Sequence, residues 1–161
     1  MDLKTVERQP VRVACLRYTG PFGPAVGEFW GHTVHHWLTA NQLNVSTYGV
    51  ARDDPATTPP EKMRYDACAE VKPGFRGTGL YHLAIIPGGK YAVAVFKGTA
   101  DAMGAAWGEV MSQALPASGL TFDTTRMPFE HYAKDFKADP ETGAFVCELC
   151  VPIETQESPA A

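Results

Sequence analysis

Glu130 stands between aromatic residues in Pro128-Phe129-Glu130-His131-Tyr132, a short run closed by Lys134 and Asp135. The run reads as a strand, whose alternation puts Pro128, Glu130 and Tyr132 on one face and Phe129 and His131 on the other. A carboxylate so placed is either a solvated edge residue or the polar anchor of an apolar pocket. Glu is rarely buried without a partner, which favours the edge. In an aromatic-lined groove it would lose hydration, and a cationic ligand would offset that loss while the ring faces add cation–π attraction. The same desolvation raises the affinity of a carboxyl group for a proton, which suits a general acid or base. Neighbouring hydroxyls, such as those of Tyr48 or Tyr65, would satisfy it without any ligand.

Other chemistry-bearing residues are fewer. Tyr48, Tyr65 and Tyr132 fall on expected strands, as groove walls or as half-buried sheet residues. Trp30 and Trp107 fall at equivalent places in two expected helices, where a Trp is either core or a ligand platform. His32 and His36 lie one helical turn apart, with His35 between them. No Glu follows His32 and no third ligand is evident, so these read as polar helix-face residues and no metal is expected. Cys147 and Cys150 have CxxC spacing but sit in a strand-like run, where residues three apart point to opposite faces. They and Cys15 and Cys68 read as free thiols. Gly88-Gly89-Lys90 lacks a following Ser or Thr and reads as a turn rather than a phosphate loop. No Ser-His-Asp or Cys-His set can be assembled from the sequence, and no cofactor is implied.

The elements that must position these residues follow from periodicity. Val11 to Tyr18 reads as a strand, Gly20-Pro21 breaks it, and Pro24 suits the first turn of a helix. Val26, Trp30, Val34, Trp37 and Leu38 then recur at helical spacing up to Asn41. Strands are expected at Val45–Ala51 and Tyr65–Val71, separated by a Pro-rich loop, with Lys72 to Gly79 connecting two halves. Leu80–Ile86 and Tyr91–Phe96 flank Pro87-Gly88-Gly89 and read as a hairpin. A second helix carries Met103, Ala106, Trp107, Val110, Met111 and Ala114, ending near Pro116, before the Glu130 strand and a last strand to Ile153.

The halves repeat. Phe29-Trp30-Gly31 parallels Ala106-Trp107-Gly108, Tyr18-Thr19-Gly20 parallels Phe96-Lys97-Gly98, and Tyr48-Gly49-Val50-Ala51 parallels Glu130-His131-Tyr132-Ala133. The expectation is an α+β fold built from a duplicated strand-helix-strand-strand unit. Its antiparallel-rich sheet would carry both helices on one face, with a central groove on a pseudo-twofold axis. One domain would span 1–153, with repeats at about 8–72 and 80–153 and a disordered tail at 154–161. In this alignment Tyr48 is the counterpart of Glu130, and the two are expected to face each other across the groove.

Composition sets the class. The chain has 161 residues, 45% hydrophobic and 20% charged, enough for one globular core. A net charge of -4 argues against direct nucleic-acid binding, which needs a basic surface. No membrane-length apolar run is present, and the N-terminus lacks the apolar core of a signal peptide, so the expected location is cytoplasmic.

The order and spacing of several short motifs resemble the GyrI-like family of small-molecule-binding domains. They are Tyr18-Thr19-Gly20-Pro21, Arg64-Tyr65-Asp66-Ala67-Cys68, Gly88-Gly89-Lys90-Tyr91, Phe96-Lys97-Gly98, Trp107, Pro128-Phe129-Glu130-His131-Tyr132 and Val151-Pro152-Ile153. The resemblance covers about residues 8 to 153. It implies a groove for apolar, often cationic, aromatic compounds, with Glu130 matching a buried ligand-facing Glu of the family's regulators. An enzymatic branch hydrolyses strained cyclopropane-bearing natural products with a pocket carboxylate and aromatic residues. No DNA-binding segment accompanies the domain in this sequence, so the stand-alone form is expected.

Three functions follow from the residues and the resemblance. One is capture of small amphipathic aromatic compounds by Glu130, Trp107, Trp30, Tyr48, Tyr65 and Tyr132. A second is hydrolysis of cyclopropane-type electrophiles, Glu130 activating water and Tyr65 stabilising the leaving oxygen. The third is inhibition of a protein partner such as DNA gyrase.

Overall fold

A computed structural model describes residues 1–155, and the expected tail at 154–161 falls outside them from residue 156 onward. Eight strands form one antiparallel sheet: β1 (Lys4–Arg8), β2 (Val11–Thr19), β3 (Thr47–Ala51), β4 (Arg64–Glu70), β5 (His82–Ile86), β6 (Gly89–Gly98), β7 (Phe129–Tyr132) and β8 (Phe145–Pro152). Their spatial order is β1-β6-β8-β7-β3-β4-β2-β5. The first half contributes the block β3-β4-β2 and the second the matching block β7-β8-β6. The blocks join at the centre, where Thr47, Tyr48 and Gly49 of β3 pair with Tyr132, His131 and Glu130 of β7. Strand β1, not foreseen from the sequence, covers the outer edge of β6.

Each half carries one helix between its first two block strands. Helix α1 runs through Pro24–Glu28, Phe29–Val34 and His35–Ala40, and helix α2 through Ala100–Ala102, Met103–Glu109, Val110–Ala114 and Leu115–Ala117. Pro24 occupies the first helical turn of α1, where its missing N–H costs no hydrogen bond. Both helices switch to the wider π hydrogen-bonding pattern partway, at Phe29–Val34 and at Val110–Ala114.

Both helices sit on one face of the sheet, over rows of small residues. Under α1 lie Ala14, Ala67 and Ala69, with Trp37 and Val34 pressing down on them. Beneath α2 lie Ala92 and Ala94, against Ala106, Val110 and Leu115. Alanine floors let a helix approach closely and leave room for the large side chains that enter from above. The opposite face curls around a second core of Tyr48, Phe129, Tyr91, Val13, Cys15 and Cys150. That curl brings Val6 of one edge strand and Ile86 of the other into the same cluster.

The curl corrects one expectation. β5 and β6 do not form a hairpin: β5 pairs with β2, and β6 with β1 and β8. Pro87-Gly88 carries the chain between the two converging edges, past the β1–β2 turn. Ile86 lies opposite Val11, and Gly89 lies opposite Arg8. A Cβ on Gly88 would come within 2.8 Å of the Arg8 carbonyl oxygen and of Pro10 Cδ, so the crossing depends on a residue with no side chain. The Tyr91 hydroxyl donates to the Pro87 carbonyl at 2.6 Å and fixes the bend.

The four cysteines are buried and free. Cys147 packs in the helix-side core and Cys150 in the other, as the strand period requires. His32, His35 and His36 lie on the exposed side of α1. Among the described residues no helix is long and apolar enough to cross a membrane.

Candidate functional site

Strand β7 places Glu130 at the centre of the sheet, on the helix side, where Trp107 of α2 reaches it directly and Trp30 of α1 reaches it through Tyr65. Its direct cross-strand neighbour is Gly49. A Cβ at Gly49 would stand 2.6 Å from Glu130 Oε1 and overlap the Tyr65 hydroxyl, so this glycine makes the space in which the two side chains meet. Three donors converge on the carboxylate. The hydroxyls of Tyr65 and Tyr132 each donate to Oε1 at 2.9 Å, and Trp107 Nε1 donates to Oε2 at 3.1 Å. Trp30 Nε1 donates to the Tyr65 hydroxyl at 2.9 Å, adding an outer link from α1. The rings pack edge to face, Trp30 lying 5.4 Å from Tyr132 and 6.4 Å from Tyr65 between centroids.

Each position follows from its element. Tyr65 on β4 and Tyr132 on β7 are inward residues of their strands, 4% and 9% exposed. Trp30 and Trp107 are half-buried, one from each helix. The two repeats therefore supply an indole apiece.

Electrostatics make the site unusual. A carboxylate has about four lone-pair sites, and here three are taken, with only one of them on Oε2. Among the described residues no Lys, Arg or His pairs with Glu130. Burial raises its pKa above the ordinary carboxylate value, and the three donors offset this only in part. The Tyr65 and Tyr132 hydroxyls are pushed upward, first by burial and then by the carboxylate beside them. Both tyrosines therefore remain neutral donors. The result is a buried carboxyl group with aromatic walls and, among the described residues, no basic side chain paired with it.

Five of the six residues singled out from the sequence meet here: Glu130, Tyr65, Tyr132, Trp107 and Trp30. Tyr48 does not. Its cross-strand partner is His131, and it lies on the opposite face against Phe129, 2% exposed. The face-to-face pairing of Tyr48 with Glu130 is corrected to one of Gly49 with Glu130. Side chains alternate with period two, so a one-residue slip in aligning the halves exchanges the faces. Gly49 itself was not foreseen, although a lone glycine inside a strand pattern signals close approach of another group.

A model of the GyrI-like small-molecule-binding domain matches residues 1–154. The chain belongs to the GyrI-like family. A DNA gyrase inhibitor of Yersinia enterocolitica is 29% identical over 162 residues, covering 98% of this chain and all of the relative. Among solved structures, the C-terminal domain of EcmrR superposes with a TM-score of 0.73 at 16% identity, covering 96% of this chain and 98% of that domain. Against the longer EcmrR chain in its DNA complex, the TM-score is 0.75 and this chain spans 58% of that protein. SAV2435, solved bound to tetraphenylphosphonium, gives 0.64 at 15% identity, covering 96% of this chain and 94% of that one. At these identities the structural likeness is one of fold. This GyrI-like domain thus shares its architecture with a ligand-bound protein and with a module of a DNA-bound one.

Proposed function

We propose that this GyrI-like domain captures amphipathic aromatic cations between its two helices, with Glu130 as the charge anchor. One observation carries the reading: a desolvated carboxylate without a counter-ion, ringed by Trp30, Trp107, Tyr65 and Tyr132. A ligand cation would supply the missing charge, and the indole faces would hold its aromatic part. Oε2, with its single donor, is the oxygen left open to it. The tetraphenylphosphonium bound to SAV2435 is a delocalised aromatic cation of this kind.

Titration with tetraphenylphosphonium, followed by tryptophan fluorescence and calorimetry, tests the proposal. Saturable binding is expected, weakened about 10- to 100-fold in Glu130→Gln, the range for losing a charged partner in a partly desolvated site. Binding unchanged in Glu130→Gln would overturn it. A mass-spectrometric time course with cyclopropane-bearing electrophiles separates capture from hydrolysis. Water added by the wild type alone would make Glu130 a base rather than an anchor. Gyrase supercoiling assays without any small molecule separate both from the activity named for the Yersinia relative.

A further inference from the structure

Strand alternation sends His131, the next residue after Glu130, to the opposite face of the sheet. There its ring lies between two partners. Nδ1 is 2.7 Å from Oε1 of Glu148, its direct cross-strand neighbour on β8, and Nε2 is 3.2 Å from the Ser46 hydroxyl. A carboxylate only accepts, so in the neutral ring Nδ1 carries the proton and donates to Glu148, leaving Nε2 as an acceptor. The Ser46 hydroxyl is then the donor toward Nε2. Nucleophile, base and orienting carboxylate stand in the order that activates a serine.

The set is held in place. Tyr48 stacks on the imidazole at 5.0 Å between centroids and 20° between planes. The segment before β3 is fixed by the Ser46 carbonyl, which accepts from the Glu70 N–H at 3.1 Å, and by Asn44, whose side chain donates to Asp135 at 2.9 Å. Solvent reaches the group: the side chains of His131 and Glu148 are 18% and 42% exposed, and Ser46 is half-buried.

We infer that Ser46, His131 and Glu148 form a second site, on the face opposite Glu130, that hydrolyses small carboxylic esters. Ser46 Oγ attacks the ester carbonyl as its proton passes to His131 Nε2. The carbon–oxygen bond to the leaving alcohol breaks, and that alcohol takes the proton from His131. Water then attacks the acyl-serine, again losing a proton to His131, which returns it to Ser46 Oγ as the carboxylic acid leaves. Glu148 is a positioning residue, acting through the imidazole.

The test uses the full chain with a fluorophosphonate probe, the adduct being located by peptide mass spectrometry, and with p-nitrophenyl acetate as substrate. The adduct is expected on Ser46. It should be absent in Ser46→Ala, while Ser112→Ala, altered at an exposed position on α2, labels as the wild type does. Turnover should fall about 100-fold or more in Ser46→Ala and in His131→Gln. Glu148→Gln should lower kcat with KM unchanged, and Glu148→Asp should recover part of it. Near-UV circular dichroism verifies that each variant is folded. No adduct on Ser46 in the folded wild type, or wild-type turnover in Ser46→Ala, would overturn the inference.

Discussion

Glu130 shows how much one residue's surroundings decide. Its ordinary pKa is 4.5, and burial lifts it because the charged form loses water that Tyr65, Tyr132 and Trp107 replace only in part. In the proposed capture, ionised Glu130 anchors the cation and neutral Glu130 does not. Affinity for tetraphenylphosphonium should therefore rise with pH through a midpoint above 4.5 and level off above it. In Glu130→Gln the profile should be flat across the same window. Stability runs the other way. A carboxyl whose folded pKa exceeds its unfolded one contributes fully below the unfolded value, and that contribution is lost as pH rises through the folded value. Melting temperatures of wild type and Glu130→Gln should diverge in favour of the variant as pH climbs through that window. A flat wild-type binding profile would show that charge does not anchor the ligand. Gly49→Ala tests the same site sterically. Its Cβ meets side-chain oxygens rather than backbone, so Tyr65 and Glu130 shift, and cation affinity should fall while stability drops by about 1–3 kcal/mol, measured by urea denaturation. Most of this site was legible in the sequence, because Glu130 and Tyr132 are two apart on a strand and the two tryptophans recur at matching helix positions. Tyr48 was misread because sequence similarity between halves does not fix the strand period, and only the β3–β7 register does.

Elements carry a different kind of information. Both helices and the strands of the two repeats could be read from periodicity and from Pro24, since each buries one face. Pairing could not be read so directly. A Pro-Gly-Gly between two apolar runs is a strong local hairpin signal, yet β5 and β6 belong to opposite regions of the sheet. What overrides it is long-range: β6 finds β8 and β1, and β5 finds the free edge of β2. Gly88 lies where these edges cross, with the Arg8 carbonyl and the Pro10 ring against it. A methyl group there presses on backbone, which cannot rotate aside as the side chains near Gly49 can. Gly88→Ala should cost about 1–3 kcal/mol in urea denaturation and leave cation affinity unchanged in the folded fraction. If Gly88→Ala also weakened binding, the curl of the sheet and the geometry at Glu130 would be coupled.

For the whole molecule, the open issue is whether two similar halves behave as one body. The four thiols can report on it, because Cys15 and Cys68 belong to the first repeat and Cys147 and Cys150 to the second. All are buried, and burial pushes Cys147 and Cys150 up to about 12, so native thiolate is scarce near neutral pH. Cys68 is pushed upward as well, by its contact with Cys15 and by burial. Alkylation therefore requires opening of the fold. Cys150 shares a core with Cys15, Cys68, Tyr48 and Phe129, drawn from both halves, and β3 joins β7 through the centre of the sheet. A half that opened alone would expose this shared core and break the central ladder, losing much of the apolar burial that holds its partner. Pulsed alkylation in low urea, read by peptide mass spectrometry, should thus give one common rate for all four cysteines, following global stability. Faster labelling of Cys147 and Cys150 than of Cys15 and Cys68 would mean that the second repeat opens on its own. Glu130 would then sit on the seam between two separately stable units, and ligand would stabilise their docking more than either fold.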